Sequence, residues 1–317
     1  MERLTLEQLK ERADKGTLIG AFLVSNDDYH AGPALSSTDI KKIHKDPAKW
    51  KCDKMAGIKL SSPALEFGSL YHASALEYPE FDNRYAITQL ARKGSKAWEK
   101  EETAALEAGK ILVKQADIDL VNAMLTRITG AAGIKAHSKR GLLLGQIETS
   151  FYWTDMETGL LLKTRPDVLT ESGHAVDLKT TRCGDNEKLR KTPQEVQEEL
   201  SRDILLFGYH VSAAMQLEGV REATKQGGCE KEVVAVPKDY VLFFQNKVAP
   251  FNVYVRLLDQ SSLDLGANVL QTTLRIYKEI EDNNAWDKLE QEMIAKEDIP
   301  QDTNEDIKII GVGVTGE

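Results

Sequence analysis

The stretch Leu161–Thr181, LLKTRPDVLTESGHAVDLKTT, sets two aspartates, Asp167 and Asp177, at the edges of apolar runs and follows the second with Lys179. Its residue pattern reads as two strands, LLLKTRPDVLT and AVDLKTT, joined by the turn ESGH. A turn at Ser172-Gly173 can pair these strands, which makes the two carboxylates neighbours in space. Two close carboxylates repel, and burying them is costly without a cation. Two readings follow from the spacing. A divalent metal between the carboxylates resolves the conflict, and oxygen donors of this kind suit Mg²⁺ or Mn²⁺. Alternatively, these are strand-end charges in a surface salt bridge. Asp177 and Lys179, at i and i+2, point to one face of their strand. Lys179 would then stand beside a metal, placed to orient a water or to offset developing negative charge.

Upstream, QIETSFYWTD is a further strand and METG a turn, so the three strands read as an antiparallel meander. Downstream, TPQEVQEELSRDILLFGYHVSAAMQLEGVREAT reads as one long helix, with Thr192 as cap, Pro193 at the first position and Glu195 closing a capping box. Val196, Leu200, Ile204, Phe207, Val211 and Met215 recur at helical spacing and define its apolar face. DYVLFFQNK and FNVYVRLL are two more strands, and a last helix covers about Leu263 to Asp282.

Towards the N-terminus, residues 1–16 read as a short amphipathic helix or a loose end. ALSSTDIKKIHKDPAKW begins a helix capped by Ser36 or Ser37 and stopped by Pro47. PALEFGSLYHASALEYPE, AWEKEETAALEAGK and QADIDLVNAMLTRITG are further helices, the last with Gly130 as C-cap. The order of helices, three strands, helix, two strands and helix implies a mixed central sheet flanked by helices, α/β with α+β character.

Composition bounds the function. Of the chain's 317 residues, 41% are hydrophobic and 29% charged, as in a globular protein, and no run is apolar enough for a membrane span. No signal-peptide core opens the chain, so a cytoplasmic location and no membrane partner are expected. Cys52, Cys183 and Cys229 are too scattered for a zinc site, an iron–sulfur cluster or a disulfide framework. The formal net charge of −9 argues by itself against a nucleic-acid binder. The charge is uneven, however: Lys278–Glu317 has four lysines against twelve acids, whereas Ser36–Leu60 has seven lysines against three. Such asymmetry suits either a local phosphate-binding face or ordinary solvated surface.

Pro166-Asp167, nine residues and Asp177-Leu178-Lys179 resemble the PD-(D/E)xK nuclease motif. NDDYHAGPALSSTDIKKI, FGSLYHASALEYPEFDNRY and ETSFYWTDMETGLLLKTRPD resemble, in order, the nuclease domain of RecE-type exonucleases (exonuclease VIII) over roughly residues 20–220. The resemblance implies a restriction-endonuclease-like core over 21–282, with 1–20 as an N-terminal extension and 283–317 as an acidic C-terminal tail. It implies metal binding by His72, Glu148, Asp167, Asp177 and the Leu178 carbonyl, with Lys179 as the catalytic lysine beside Asp167, Asp177 and Glu148. Taken alone, His72 also suits a hydrogen-bonded core histidine, and Glu148 an exposed strand-start charge. Ser36 and Ser37 suit either N-capping or a DNA 5′-phosphate at a helix N-terminus; His30 reads as a structural loop residue. Related nucleases carry Gln-x-x-x-Tyr on the next helix, where this chain has Ser212 and Gln216, so the grip on DNA is open.

The activity implied is Mg²⁺-dependent (or Mn²⁺-dependent) 5′-to-3′ digestion of linear double-stranded DNA, leaving 3′ single strands for recombination by annealing. The partners implied are double-stranded DNA ends, a single-strand annealing protein and further copies of the chain in a ring, with a tetramer favoured. The alternatives are an endonuclease or single-strand-specific nuclease of the same fold, or a DNA-binding scaffold without chemistry.

Overall fold

A computed structural model describes residues 1–58, 62–77, 81–129, 141–184, 191–289 and 291. Its centre is a mixed sheet of five strands in the order β11-β10-β9-β8-β5. These are β5 (Gln146–Ile147), β8 (Val168–Leu169), β9 (His174–Thr181), β10 (Asp239–Asn246) and β11 (Val253–Leu257). β9 and β10 run parallel, and the other neighbours are antiparallel. A second sheet has the order β1-β2-β6-β7, from β1 (Glu2–Leu4), β2 (Gly20–Val24), β6 (Ser150–Thr154) and β7 (Leu161–Thr164). β3 (Tyr85–Thr88) and β4 (Ile111–Lys114) form a separate parallel pair.

The central strands are buried on both faces, as their continuous apolar runs require. Ala175, Tyr240, Leu242 and Phe244 point into one core, shared with α9 (Pro193–Leu206), α10 (Tyr209–Gly227) and α11 (Gln260–Asp282). Val176, Leu178, Val241 and Phe243 point into the other, shared with α5 (Pro63–Leu76) and α8 (Gln115–Thr129). Strand alternation alone sorts these residues. α10 and α11 pack closely because Gly266 has no side chain: a Cβ there would stand 2.1 Å from the His210 carbonyl oxygen.

The hairpin expected from QIETSFYWTD and LLLKTRPDVLT forms, but each of its strands divides in two. Their distal parts pair as β6 and β7 in the second sheet; their proximal parts pair as β5 and β8 in the central one. The break falls at Glu148 on one strand and at Arg165–Asp167 on the other. Two features interrupt the ladder there. Pro166 has no N–H to donate, and Glu148 adopts a left-handed φ of 51°. Glu148 is therefore not at the head of a strand, and Asp167 is not at the end of one; both sit at the corner between two sheets.

The long helix also divides. α9 ends at Leu206 and α10 starts at Tyr209, because Gly208 takes φ 63° and breaks the ladder. Phe207 lies at this break and is exposed rather than on the apolar face. The capping box of Thr192 and Glu195 forms as expected. α3 (Ser37–Lys45) has Ser36 as its cap, and Asp46 and Pro47 start a new helix, α4 (Pro47–Met55). Residues 1–20 supply β1 and α1 (Leu6–Asp14), whose Leu4 and Leu9 are buried beside Tyr152. His30 lies in the last turn of a short helix, α2 (Asn26–Ala31), rather than in a loop. α6 (Phe81–Arg84) and α7 (Lys96–Glu107) flank β3. Towards the C-terminus, the Trp286 ring packs at an angle against those of Trp50 and Tyr277. Residue 290 and residues 292–317, most of the acidic tail, lie outside the described residues, as does Gly130 with its expected cap.

Candidate active site

β8 pairs with β9 only through Val168↔Val176 and Leu169↔Ala175, and beyond them the two chains diverge into a fork. Asp167 stands on one arm, and Asp177, Leu178 and Lys179 on the other. The Leu178 N–H donates to Asp167 Oδ2 across the fork at 2.7 Å. In an extended strand the C=O of a residue points to the same side as its N–H, so the Leu178 carbonyl also faces this fork. Glu148 is tied to the same arm by its N–H, which donates to the Asp167 carbonyl at 3.2 Å.

α5 brings the imidazole. Ser62 caps this helix by accepting from Leu65 N, and Pro63 occupies its first position. The Tyr71 hydroxyl donates to Gln245 Oε1 of β10, and Gln245 Nε2 donates to the Met124 carbonyl of α8 at 2.7 Å. One buried glutamine thus ties together both helices and the sheet, and His72, next to Tyr71, is held over the fork. His72 Nε2 lies 3.0 Å from Asp167 Oδ2 and 3.2 Å from Glu148 Oε1. Its Nδ1 lies 3.8 Å from Glu77 Oε1.

Arg165 braces the corner. Its guanidinium lies over the Tyr29 ring, donates to Ser150 Oγ and to the Val24 carbonyl, and sits 3.6 Å from Glu148 Oε2. On the other arm, Lys179 Nζ donates to Asp177 Oδ1 and stands over the Tyr209 ring of α10, 5.5 Å from its centroid. Asp177 and Lys179 lie together on the α10 face of the sheet, whereas His72 belongs to the α5 side.

The electrostatics follow from burying acids together. Burial pushes the Glu148 carboxyl up to about 7, with help from Asp167 and against the pull of His72 and Arg165. Burial and the neighbouring Asp167 push Asp177 up to about 6, although Lys179 opposes this. Burial would raise Asp167 too, but the His72 cation, Lys179 and the Leu178 N–H outweigh it, so its net shift is downward. Burial disfavours the charged forms of His72 and Lys179, yet the surrounding carboxylates hold both above their ordinary values.

These donors fit a divalent cation. The His72 ring, held above its ordinary pKa, faces the carboxylates of both Asp167 and Glu148, where a metal cation could offset their charge instead. Three buried or partly buried carboxylates and a backbone carbonyl supply hard oxygen donors, and the imidazole broadens the fit towards Mn²⁺. Glu77, absent from the sequence reading, joins this cluster: one ligand atom each of His72, Glu77 and Glu148 lies within 4.8 Å of the others. Arg84 holds Glu77 through two hydrogen bonds of 3.0 and 3.2 Å.

A second polar cluster adjoins Lys179. Lys41 Nζ, from α3, donates to Ser212 Oγ of α10 at 3.1 Å, and Ser212 Oγ donates to Ser37 Oγ at 3.3 Å. Burial and the nearby Lys179 lower Lys41 to about 8. Ser36 is engaged elsewhere, in a reciprocal capping box with Asp39. The sequence-predicted residues are therefore divided. His72, Glu148, Asp167, Asp177, Leu178 and Lys179 converge at the fork; Ser37 joins the Lys41 cluster; Ser36 closes a helix. Ser212 bonds to Lys41 and Ser37, while Gln216 is buried within α10.

A family model described as "PDDEXK-like domain of unknown function (DUF3799)" matches residues 36–293. No curated protein matches the chain. Among solved structures, the chain is similar to a protein from Eubacterium rectale called a "Putative exonuclease", at 14% sequence identity and a TM-score of 0.48, covering 77% of this chain and 80% of that one. Among the described residues, no helix is long and apolar enough to cross a membrane.

Proposed function

The chain belongs to the PDDEXK-like family of unknown function (DUF3799), and from that premise we propose that it is a Mg²⁺- or Mn²⁺-dependent nuclease that digests linear double-stranded DNA from the 5′ end. The observation that carries the nuclease reading is the convergence of His72, Glu148, Asp167, Asp177 and Lys179 on one fork. A divalent cation at such a site supplies an activated water and offsets charge on the leaving oxygen.

The chain's own residues do the rest. Glu148 Oε1, Asp167 Oδ2, an Asp177 carboxylate oxygen, the Leu178 carbonyl and His72 Nε2 would hold the cation. Glu148 and His72 must release their proton to do so. Lys179 is held above its ordinary pKa and stays an ammonium, so it acts as a fixed positive charge facing the phosphate rather than as a base. Asp177 fixes its position through a hydrogen bond, and the Tyr209 ring limits its swing. Arg165 orients Glu148.

The preference for a 5′ end rests on the cluster beside Lys179. Ser37, Lys41 and Ser212 form a compact set of donors next to the fork, suited to a terminal phosphate. The RecE-type resemblance adds the remaining parts of the proposal: 3′ single strands as product, an annealing protein as partner and a ring of subunits. Light scattering on the purified chain tests the ring, with a tetramer expected.

The direct test uses linear duplex DNA labelled at either end, with a closed circle as control, in Mn²⁺, Mg²⁺ and EDTA. Metal-dependent release of the 5′ label first, with the circle intact, is the expected result. Cutting of the circle would replace the exonuclease reading by an endonuclease.

A further inference from the structure

A groove of about 1150 Å³ separates the N-terminal half of α5 from the β3–α7–β4 unit. We propose that it is a track for single-stranded DNA leading away from the fork. The choice of nucleic acid rests on the nuclease reading; the choice of a single strand comes from the lining itself.

Five cationic side chains line the groove: Lys93, Lys110, Lys114, Arg182 and Lys247. The carboxylates lining it are Glu66, Glu102 and Asp117, and Glu66 is already engaged by Lys93 at 3.0 Å. Among the described residues, Lys110, Lys114, Arg182 and Lys247 make no ion pair. Burial and the neighbouring Arg182 guanidinium shift Lys247 downward. Such a concentration of unpaired cations suits a polyanion.

The walls are apolar. Leu65, Leu106 and Ile111 line the groove and are each more than half exposed. Phe67 is partly exposed, and Lys247 Nζ stands 5.4 Å from its ring centroid. An aromatic face beside a cation can stack a base while its phosphate meets the charge. Only unpaired bases can stack on such walls, because a duplex keeps the faces of its bases stacked inside and presents only their edges, with sugars and phosphates.

The position agrees. α5 carries both His72 and Phe67, five residues or about 7.5 Å apart along the helix axis. β9 carries Lys179, and Arg182 directly follows its last residue, three residues or about 10 Å farther along the extended chain. The same two elements therefore form the fork and open onto the groove.

The test measures binding of a fluorescein-labelled oligothymidylate by anisotropy, in EDTA and over a range of salt. Lys110→Glu/Lys247→Glu should weaken binding by about tenfold or more and reduce the slope of log affinity against log salt by about 1 to 2. Phe67→Ala should weaken binding by about tenfold with little change in slope. Thermal unfolding midpoints confirm that each variant is folded. Wild-type affinity in both groove variants overturns the track, and so does failure of the wild type to bind. An equal loss for duplex DNA of the same length overturns the single-strand assignment in favour of a duplex path. Because binding is read without metal, absence of hydrolysis by the wild type in Mn²⁺ would count against the nuclease reading separately.

Discussion

The two arms of the fork handle buried charge differently. On the α5 side, Glu148 and Asp167 face His72, whose proton is their nearest counter-charge, with Arg165 farther away. On the α10 side, Asp177 carries its own ammonium, Lys179, two residues along the same strand. The first arm can exchange a proton for a cation, because burial holds Glu148 high and its imidazole can lose its proton. The second arm keeps a fixed positive charge across the physiological range. A phosphodiester hydrolase needs both: a place where metal replaces proton, and a cation that does not titrate away.

Substitutions should separate the arms. Lys179→Ala removes charge that acts on the transition state and should lower hydrolysis by about 10²- to 10³-fold. Calorimetric metal affinity should change little. His72→Ala acts on the other arm and should weaken metal binding by about 10- to 100-fold. Its hydrolysis should recover in part at higher metal concentration, whereas that of Lys179→Ala should not.

The pH dependence sharpens the contrast. The Glu148 carboxyl lies at about 7 and His72 above its ordinary value, so both hold protons at pH 6 that a cation must displace. Metal affinity should therefore rise with pH from 6 to 8, by up to about tenfold per pH unit for each proton released. Glu148→Gln should flatten that rise. Glu77→Gln should have the smallest effect, a few-fold loss of metal affinity, if Glu77 only orients His72. A loss as large as that of His72→Ala would make Glu77 a ligand.

Much of this was legible in the sequence, and the rest fails for physical reasons. Asp167, Asp177 and Lys179 are close in sequence and joined by a tight turn, so local pattern places them. The caps at Ser36 and Thr192 are equally local. The corner at Glu148 and Pro166 was less visible, because strand-forming residues lie on both sides of each break while the hydrogen-bond ladder changes partner. Pro166 was the available signal, since it cannot sit inside a paired strand. Gly208 was a comparable signal for the break between α9 and α10. β2, β3 and β4 are short and went unassigned. Lys41 and Glu77 depend on tertiary placement: Lys41 meets Ser212 across 171 positions of sequence. Charge hinted at the first, since Lys41 lies in the basic segment Ser36–Leu60.

On the proposed function, the fork cuts DNA through a bound metal. The most direct measurement compares wild type with Asp177→Asn, purified in parallel, on linear duplex DNA in Mn²⁺ and in EDTA. The wild type should degrade the DNA in Mn²⁺ alone, and the folded variant should do so about 10³-fold less. Undiminished degradation by Asp177→Asn, or wild-type degradation that persists in EDTA, would contradict it.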